Sequence, residues 1–164
     1  MANNDWNSFK QTMYYKAPLS KVYAMWATRT GLESFFLSQA EFTKTDGTVR
    51  EHDSPIQKGD TYKWRWFGYP VEEYGEITEA NGIDTLGFIF GEAGNVTVKL
   101  REEQGGTFLT LTQEQVPCET EDQKFNFRIG CATGWTFYRV NLKSLLEGGI
   151  DLRNKNPDIK TPND

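Results

Sequence analysis

Few side chains in this sequence are suited to acid–base or nucleophilic chemistry, and Glu73 is the strongest candidate among them. The strand alternation that points Gly75 and Ile77 inward also points Glu73 inward. Partial removal from water would raise the pKa of the Glu73 carboxyl group and suit it to general acid or base catalysis. Glu73 also lies near a hairpin, where solvent reaches, so catalysis in a cavity stays an alternative and no residue is assigned as catalytic.

The other reactive side chains indicate neither a metal site nor a redox site. His52 is the single histidine and lies in a polar segment, so a histidine-based metal site or a catalytic triad lacks the residues it needs. Cys118 and Cys131 are thirteen positions apart, which is not a metal-ligand or redox spacing. We expect no metal and no cofactor, and we expect the two thiols to be packed rather than nucleophilic.

Aromatic residues make up 14% of the chain and are the candidates for ligand binding. Bulky rings on a curved sheet that is covered by one helix do not easily fill the space between them, which favours an apolar cavity. Such a cavity would hold a small hydrophobic or aromatic molecule, with a few polar side chains as anchors. For any single ring the alternative is a place in an ordinary core. With Thr107 as a further polar anchor, the candidate ligand-binding residues are Trp26, Phe36, Tyr62, Trp64, Trp66, Phe88, Phe90, Gln113, Trp135 and Tyr138.

The elements that would position these side chains begin with one strand and two short helices. Residues 8–16 alternate as a half-buried strand does. Pro18 suits a first helical turn, and Leu19–Ala27 has apolar residues at helical spacing. A second short helix is predicted over residues 32–36.

The middle of the chain is predicted to form an antiparallel meander. Runs of alternating apolar residues are separated by turn signals, of which Asn81-Gly82 is the strongest. With the first strand, these runs make about seven strands joined by short turns. The runs cover residues 40–43, 61–67, 71–79, 85–90, 96–101 and 107–111.

One long helix is predicted over Glu121–Leu146, where the apolar period changes to 3.6 residues. Thr120 is placed to cap its start, and Gly148-Gly149 is placed to end it. The apolar stripe, which we expect to face the sheet, comprises Phe125, Ile129, Ala132, Trp135, Tyr138, Leu142 and Leu145.

The order of these elements resembles the helix-grip fold of the START-like (SRPBCC) superfamily. Within it the chain is similar to the branch named for the activator of the 90-kDa heat-shock protein ATPase, over residues 8 to 150. The motifs that carry the resemblance are Ala17-Pro18, Phe35-Phe36, Lys58-Gly59-Asp60, Gly75-Glu76-Ile77, residues 106–112, Gly134-Trp135 and residues 142–147.

The resemblance implies an α+β fold, in which a curved antiparallel sheet of about six to seven strands wraps around a long C-terminal helix. It also implies a cavity between sheet and helix, which relatives in the wider superfamily use to bind lipids, plant hormones or polyketides. Asp60 stands where the family often has a second glycine, and Gln113 stands where it often has a histidine. No catalytic role is therefore carried over to this chain.

The length and the charge of the chain bear on its domain number, its partners and its compartment. The sequence predicts one domain over residues 6–149 and a polar tail over 150–164. The net charge of −5 disfavours nucleic acid and anionic membrane surfaces as partners. Since neither a membrane span nor a leader is recognised, we expect a cytoplasmic protein. Besides ligand binding, the alternatives are a chaperone-associated or other protein-interaction module, including a homodimer.

Overall fold

The computed structural model describes residues 6–114 and 118–160, and these form seven strands, three α-helices and one turn of 3-10 helix. The strands form one antiparallel sheet in the order β1-β7-β6-β5-β4-β3-β2. This arrangement confirms the predicted α+β helix-grip fold. The elements are β1 Phe9–Tyr15, α1 Leu19–Ala27, α2 Arg29–Phe35, β2 Gln39–Thr43, β3 Thr61–Arg65, β4 Glu72–Ala80, β5 Thr85–Ile89, the 3-10 turn Gly91–Ala93, β6 Asn95–Glu103, β7 Gly106–Glu114 and α3 Glu121–Leu146.

The element boundaries follow the predictions closely, with two differences next to residues that line the pocket described below. Helix α2 begins at Arg29 rather than at residue 32, because the Thr28 side chain accepts a hydrogen bond from the Gly31 N–H at 3.0 Å and caps it. The turn between β5 and β6 contains a 3-10 helix, Gly91–Ala93, a form that turn residues alone do not specify. Thr120 caps α3 as expected, and Gln123 completes a capping box with it.

Helix α3 lies alongside β1 in the same direction. Arg128 donates a hydrogen bond to the carbonyl oxygen of Ser8, and Lys143 donates to that of Tyr14. A helix of 26 residues is about 39 Å long, whereas a strand of seven residues is about 23 Å long. The first turns of α3 therefore extend beyond β1.

This overhang corrects the predicted apolar stripe of α3. Phe125 and Ile129 were expected to face the sheet, but their exposed fractions are 40% and 48%. Further along, Trp135 and Leu142 are buried as predicted, and Arg139, which was placed off the stripe, is buried with them. Arg139 is accommodated because its guanidinium donates to Gln11 of β1 and to the carbonyl oxygen of Trp135.

Asp60, the residue that departs from the family's glycine, takes part in a buried ion pair. Its two carboxylate oxygens accept hydrogen bonds from Arg50 at 2.6 and 2.8 Å, and it also accepts one from the Gln57 N–H. Both side chains are buried. The pair joins the long connection between β2 and β3 to the start of β3.

The described part of the predicted tail, residues 150–160, packs against the end of α2. Arg153 is buried and donates to the carbonyl oxygens of Glu33, Ser34 and Leu37 at 2.7–3.0 Å. It also forms a salt bridge with Asp151. The last four residues of the predicted tail, 161–164, lie outside the described residues. No helix of the described residues is long and apolar enough to cross a membrane.

Candidate functional site

A pocket of about 280 Å³ lies between the middle of α3 and the connection that joins β3 to β4. The ends of α2 and β5 close its sides. Its walls are mostly aromatic and aliphatic. The lining residues are Phe36, Trp66, Tyr69, Val71, Glu73, Phe90, Gly130, Cys131, Gly134, Trp135 and Tyr138.

Two glycines of α3 make room for this pocket. Gly130 and Gly134 are four positions apart, so they lie on the same face of the helix, one turn from each other. A Cβ atom added at either glycine would have no described heavy atom within 4 Å. Glycine costs a helix interior about 1 kcal/mol relative to alanine. The helix is thus weakest in propensity at the positions where it faces open space.

The aromatic walls are held by contacts among the rings. The ring centroid of Phe36 lies 4.9 Å from that of Tyr138 and 5.5 Å from that of Trp66, and both pairs have edge-to-face geometry. The Phe90 ring lies 5.2 Å from that of Trp135 and 6.2 Å from that of Trp66. Because these five rings pack on one another, this part of the pocket has a defined shape before any ligand enters.

Gln113 fixes the orientation of Trp135 from behind the wall. Its side-chain oxygen accepts a hydrogen bond from the Trp135 indole N–H at 2.7 Å, and its amide nitrogen donates to the Ala93 carbonyl oxygen at 2.8 Å. Gln113 is completely buried. Burial also raises the pKa of the neighbouring Cys131 thiol, an effect that a hydrogen bond with Gln113 opposes. Gln113 therefore supports the pocket without lining it.

Glu73 brings a carboxylate into the wall. It lies in β4 opposite Trp64 of β3, and its carboxylate packs on Gly91, where a Cβ atom would overlap it. Gly91 has a φ of +47°, so only a residue without a side chain is comfortable there. Burial raises the pKa of Glu73, and the nearby Glu92 raises it further, while a hydrogen bond from the Tyr74 backbone opposes the shift. This carboxyl group is suited to holding a proton or a cation.

Five of the ten predicted ligand-binding residues line the pocket, namely Phe36, Trp66, Phe90, Trp135 and Tyr138. Glu73, the candidate acid or base, lines it as well. The structure thus brings together residues of β4 and α3 with residues that directly follow α2, β3 and β5. Their contact with a ligand stays a prediction.

The other predicted residues lie outside the pocket. Trp26, Tyr62, Trp64 and Phe88 are buried in the core beside it. The ring centroid of Trp64 lies 3.8 Å from that of Tyr62 and 5.2 Å from that of Phe88, so these three rings leave no gap between them. Trp26 packs on Phe35, with the ring centroids 5.2 Å apart. The Tyr62 hydroxyl is used inside the core, where it donates to the Ile89 carbonyl oxygen at 2.5 Å. Thr107 is buried away from the pocket and donates to the Ala17 carbonyl oxygen.

Sequence reasoning missed Tyr69, Val71, Gly130, Cys131 and Gly134. The two glycines carried a usable signal, since a pair at helical spacing inside a predicted helix indicates a close approach or an open space. Val71 carried one as well, because it is in phase with Glu73 in the predicted strand 71–79. Tyr69 carried none, because a turn pattern does not show which way its apolar side chains point. Among the described residues, no group of His, Cys, Asp and Glu is arranged to hold a metal ion.

Solved structures of other proteins share this fold. The protein SSP2350 from Staphylococcus saprophyticus superposes with a TM-score of 0.69 at 20% identity, over 89% of this chain and 96% of that one. The Aha1 dimer from Colwellia psychrerythraea gives 0.66 at 18% identity, over 87% of this chain and 97% of that one. DynU16, from the dynemicin biosynthetic locus, gives 0.66 at 17% identity over 91% of this chain but half of that one. At these identities the likeness shows the fold.

The sequence itself identifies the family. A search among curated proteins found no match. A family described as Activator of Hsp90 ATPase homolog 1-like protein matches residues 16–147, which include every helix and every strand except β1. This family and its fold fit a ligand-binding role. The chain belongs to the family of Activator of Hsp90 ATPase homolog 1-like proteins, as the resemblance of its motifs predicted.

Proposed function

We propose that this protein binds a small hydrophobic or aromatic molecule in the pocket between α3 and the β3–β4 connection. The observation that carries the proposal is the pair Gly130 and Gly134, which leaves space under α3 at the expense of helix propensity. The pocket's volume of about 280 Å³ is close to the lower end of the range of about 300–1,000 Å³ that is typical of small-molecule sites.

The chemistry of the walls favours an apolar ligand. Trp66, Phe90 and Trp135 present ring faces and edges to the pocket. A ligand that covers them removes apolar surface from water, which favours binding by about 25 cal/mol for each Å² buried. Since the rings already pack on one another, little side-chain ordering is needed upon binding.

The first test is native mass spectrometry of the purified protein, followed by denaturing extraction of any molecule that travels with it. We expect a small apolar molecule to be released. If the protein is empty, a thermal-shift screen of apolar metabolites should find compounds that raise its stability, by about 2.7 kcal/mol at a hundredfold excess over the dissociation constant.

A matched pair of variants tests whether binding takes place in this pocket. Gly134→Leu places an apolar side chain in the pocket, whereas Thr133→Leu places the same side chain on the exposed face of the same helix. We expect Gly134→Leu to abolish binding of the identified molecule while the protein stays folded, since the substitution gains about 0.8 kcal/mol of helix propensity.

Thr133→Leu should bind as the unaltered protein does. Circular dichroism and a urea titration check the fold of both variants. Normal binding by Gly134→Leu would place the ligand elsewhere and remove the basis of the proposal.

Catalysis is a second candidate because Glu73 lies in the pocket wall and burial raises the pKa of its carboxyl group. In this reading Glu73 gives a proton to the bound molecule or takes one from it. Glu73→Gln keeps the shape and removes the acid, so it should abolish turnover of a confirmed substrate. Unchanged turnover in this variant would end the enzymatic reading.

Protein interaction is a third candidate because the overhang of α3 exposes Phe125, Phe127 and Ile129. A protein of the same fold, the Colwellia psychrerythraea Aha1, was solved as a dimer. If the overhang forms a homodimer, light scattering should give twice the monomer mass, and Ile129→Glu should restore the monomer. A monomeric unaltered protein at high concentration would rule this homodimer out. A heat-shock ATPase as partner has no support from these contacts.

The domain organisation and the compartment complete the proposal. We propose that residues 6–149 fold as one unit and that the tail is attached to it mainly through Arg153. We also propose a cytoplasmic location, because Cys118 and Cys131 are free thiols, as is usual in a reducing compartment. Secretion of the native chain with a processed N terminus would contradict the second statement.

A further inference from the structure

The pocket combines aromatic walls with a single carboxylate. Of its eleven lining residues, six are aromatic and one, Glu73, is acidic, and no lysine or arginine is among them. Glu73 forms no salt bridge within the described residues. The other charged side chain that acts on it is Glu92, which is also negative. The carboxylate is thus placed at an apolar pocket, and no described side chain serves as its counter-ion.

The two basic side chains nearest in sequence are oriented away from this carboxylate. Arg65 forms a salt bridge with Glu72, the neighbour of Glu73 on the opposite face of β4. Lys63 is paired in register with Tyr74 on that same outer face. The sheet therefore keeps its local positive charge outside the pocket.

Aromatic faces and a carboxylate attract the same kind of group. The π-face of a ring carries partial negative charge, and a cation held against it gains up to about 2 kcal/mol where water is excluded. A carboxylate adds a direct charge–charge attraction, which is stronger when it is half-buried than in bulk water. The same features repel carboxylates, sulfonates and phosphates.

We propose that the ligand of this pocket is an organic ammonium ion, a molecule with an apolar or aromatic body and a positively charged nitrogen near Glu73. This inference rests on the proposed binding function and adds the charge of the ligand. The apolar body covers Trp66, Phe90 and Trp135, and the ammonium group lies between Glu73 and the neighbouring rings. A quaternary ammonium suits the site well, because its methyl groups contact rings and it gives up little hydration.

Three probes of equal shape and different charge test the inference. Benzyltrimethylammonium is a cation, neopentylbenzene has a carbon in place of the nitrogen, and phenylmethanesulfonate is an anion with the same tetrahedral head. Isothermal titration of the full chain measures their dissociation constants. We expect the ammonium ion to bind about tenfold more tightly than neopentylbenzene, and the sulfonate to bind most weakly.

Two variants assign the preference to Glu73. Glu73→Gln keeps the size of the side chain and removes its charge, so most of the advantage of the ammonium ion over neopentylbenzene should disappear. Glu76→Gln makes the same change three residues along β4, at an exposed position, and should keep the advantage. Because the charge series is measured in the unaltered protein first, the test does not depend on the folding of either variant.

The results separate this inference from the proposed function. If neopentylbenzene bound as tightly as the ammonium ion or more tightly, the inference that the ligand is positively charged would be overturned. The proposal of apolar binding would still stand. Equal losses in Glu73→Gln and Glu76→Gln would overturn the role of Glu73. Binding by none of the three probes would overturn the inference, whereas the proposed function is judged separately by the molecule that copurifies and by Gly134→Leu.

Discussion

The space between the sheet and α3 is filled at one end and open at the other, although both ends are aromatic. At the filled end Tyr62, Trp64 and Phe88 pack against one another, and all three are buried. At the open end Trp66 and Phe90 line a pocket of about 280 Å³. The difference lies in what faces the rings. Opposite the pocket, α3 offers Gly130 and Gly134, and a Cβ atom there would meet nothing described within 4 Å.

This comparison shows that aromatic content alone does not determine whether a helix-grip domain is hollow. Protein interiors pack to the density of organic crystals, so rings fill whatever space their neighbours allow. A pocket persists where the opposite surface lacks side chains and the wall rings are held from behind. Gln113 provides that second condition for Trp135.

The largest expected effect comes from truncating one ring at each end. Trp64 is 1% exposed and touches several other rings, so Trp64→Ala should lower the free energy of unfolding by about 3–5 kcal/mol. Trp66 is half-buried at the pocket, and much of its surface is already exposed. Trp66→Ala should therefore lower the free energy of unfolding by only about 1–2 kcal/mol. Urea denaturation measures both values.

Ligand binding should show the opposite order of sensitivity. Trp66→Ala should weaken binding of the copurifying molecule more than its small effect on stability suggests. Equal stability losses in the two variants would mean that the pocket end is as tightly filled as the core, and the comparison would fail.

An intermediate effect is expected where a methyl group is added instead of removed. Gly130→Ala should raise the free energy of unfolding by about 0.5–1 kcal/mol, because alanine favours the helix and its Cβ atom meets open space. Gly75→Ala is the matched contrast in β4, where a Cβ atom would overlap Tyr62 and the Ile89 carbonyl oxygen. It should be destabilising by more than Gly130→Ala is stabilising. Thermal unfolding of both variants checks the signs, and a destabilised Gly130→Ala would show that the space is not free.

The sequence was sufficient to predict the order of elements and the bounds of α3, because these depend on local signals. Apolar periodicity and the Thr120 cap act within a few residues of one another. Strand parity likewise predicted that Trp64 and Trp66 share a face. Parity could not show that Trp64 is enclosed while Trp66 borders a pocket, since depth depends on the helix that lies opposite. The burial of Arg139 has the same origin, because its partner Gln11 is 128 residues away in sequence.

The exposure of Phe125 and Ile129 could not be predicted from periodicity either. An apolar stripe states which face of a helix is suited to burial, but the length of β1 decides how much of that face is covered. Glu73 was predictable in direction, because parity placed it inward. Its contact with Gly91 was not, since a turn signal does not show which side chain of another strand packs on the turn.

The smallest expected effect concerns the charge at the open end. The pKa of Glu73 is raised in the folded protein, by burial first and by Glu92 second, so the folded state holds this proton more tightly than the unfolded state does. The contribution of Glu73 to stability is therefore fully present below its ordinary pKa and is lost as the pH rises through the raised value. At neutral pH the ionised group is slightly destabilising. Glu73→Gln should raise the free energy of unfolding there by less than about 1 kcal/mol, because the group is partly exposed and screened by solvent.

Urea midpoints measured between about pH 4 and pH 7 check this sign. The difference between Glu73→Gln and the unaltered protein should grow with pH, whereas Glu76→Gln, on the exposed face of the same strand, should show no such growth. Glu92 and Tyr62 also face this carboxylate, so Glu92→Gln should reduce the pH dependence without abolishing it.

A saturating ammonium ligand should reverse the effect, because it stabilises the ionised form of Glu73 and adds more stability at neutral than at acidic pH. A ligand effect that is independent of pH would separate the cation from this carboxylate and leave the aromatic rings as its only contacts.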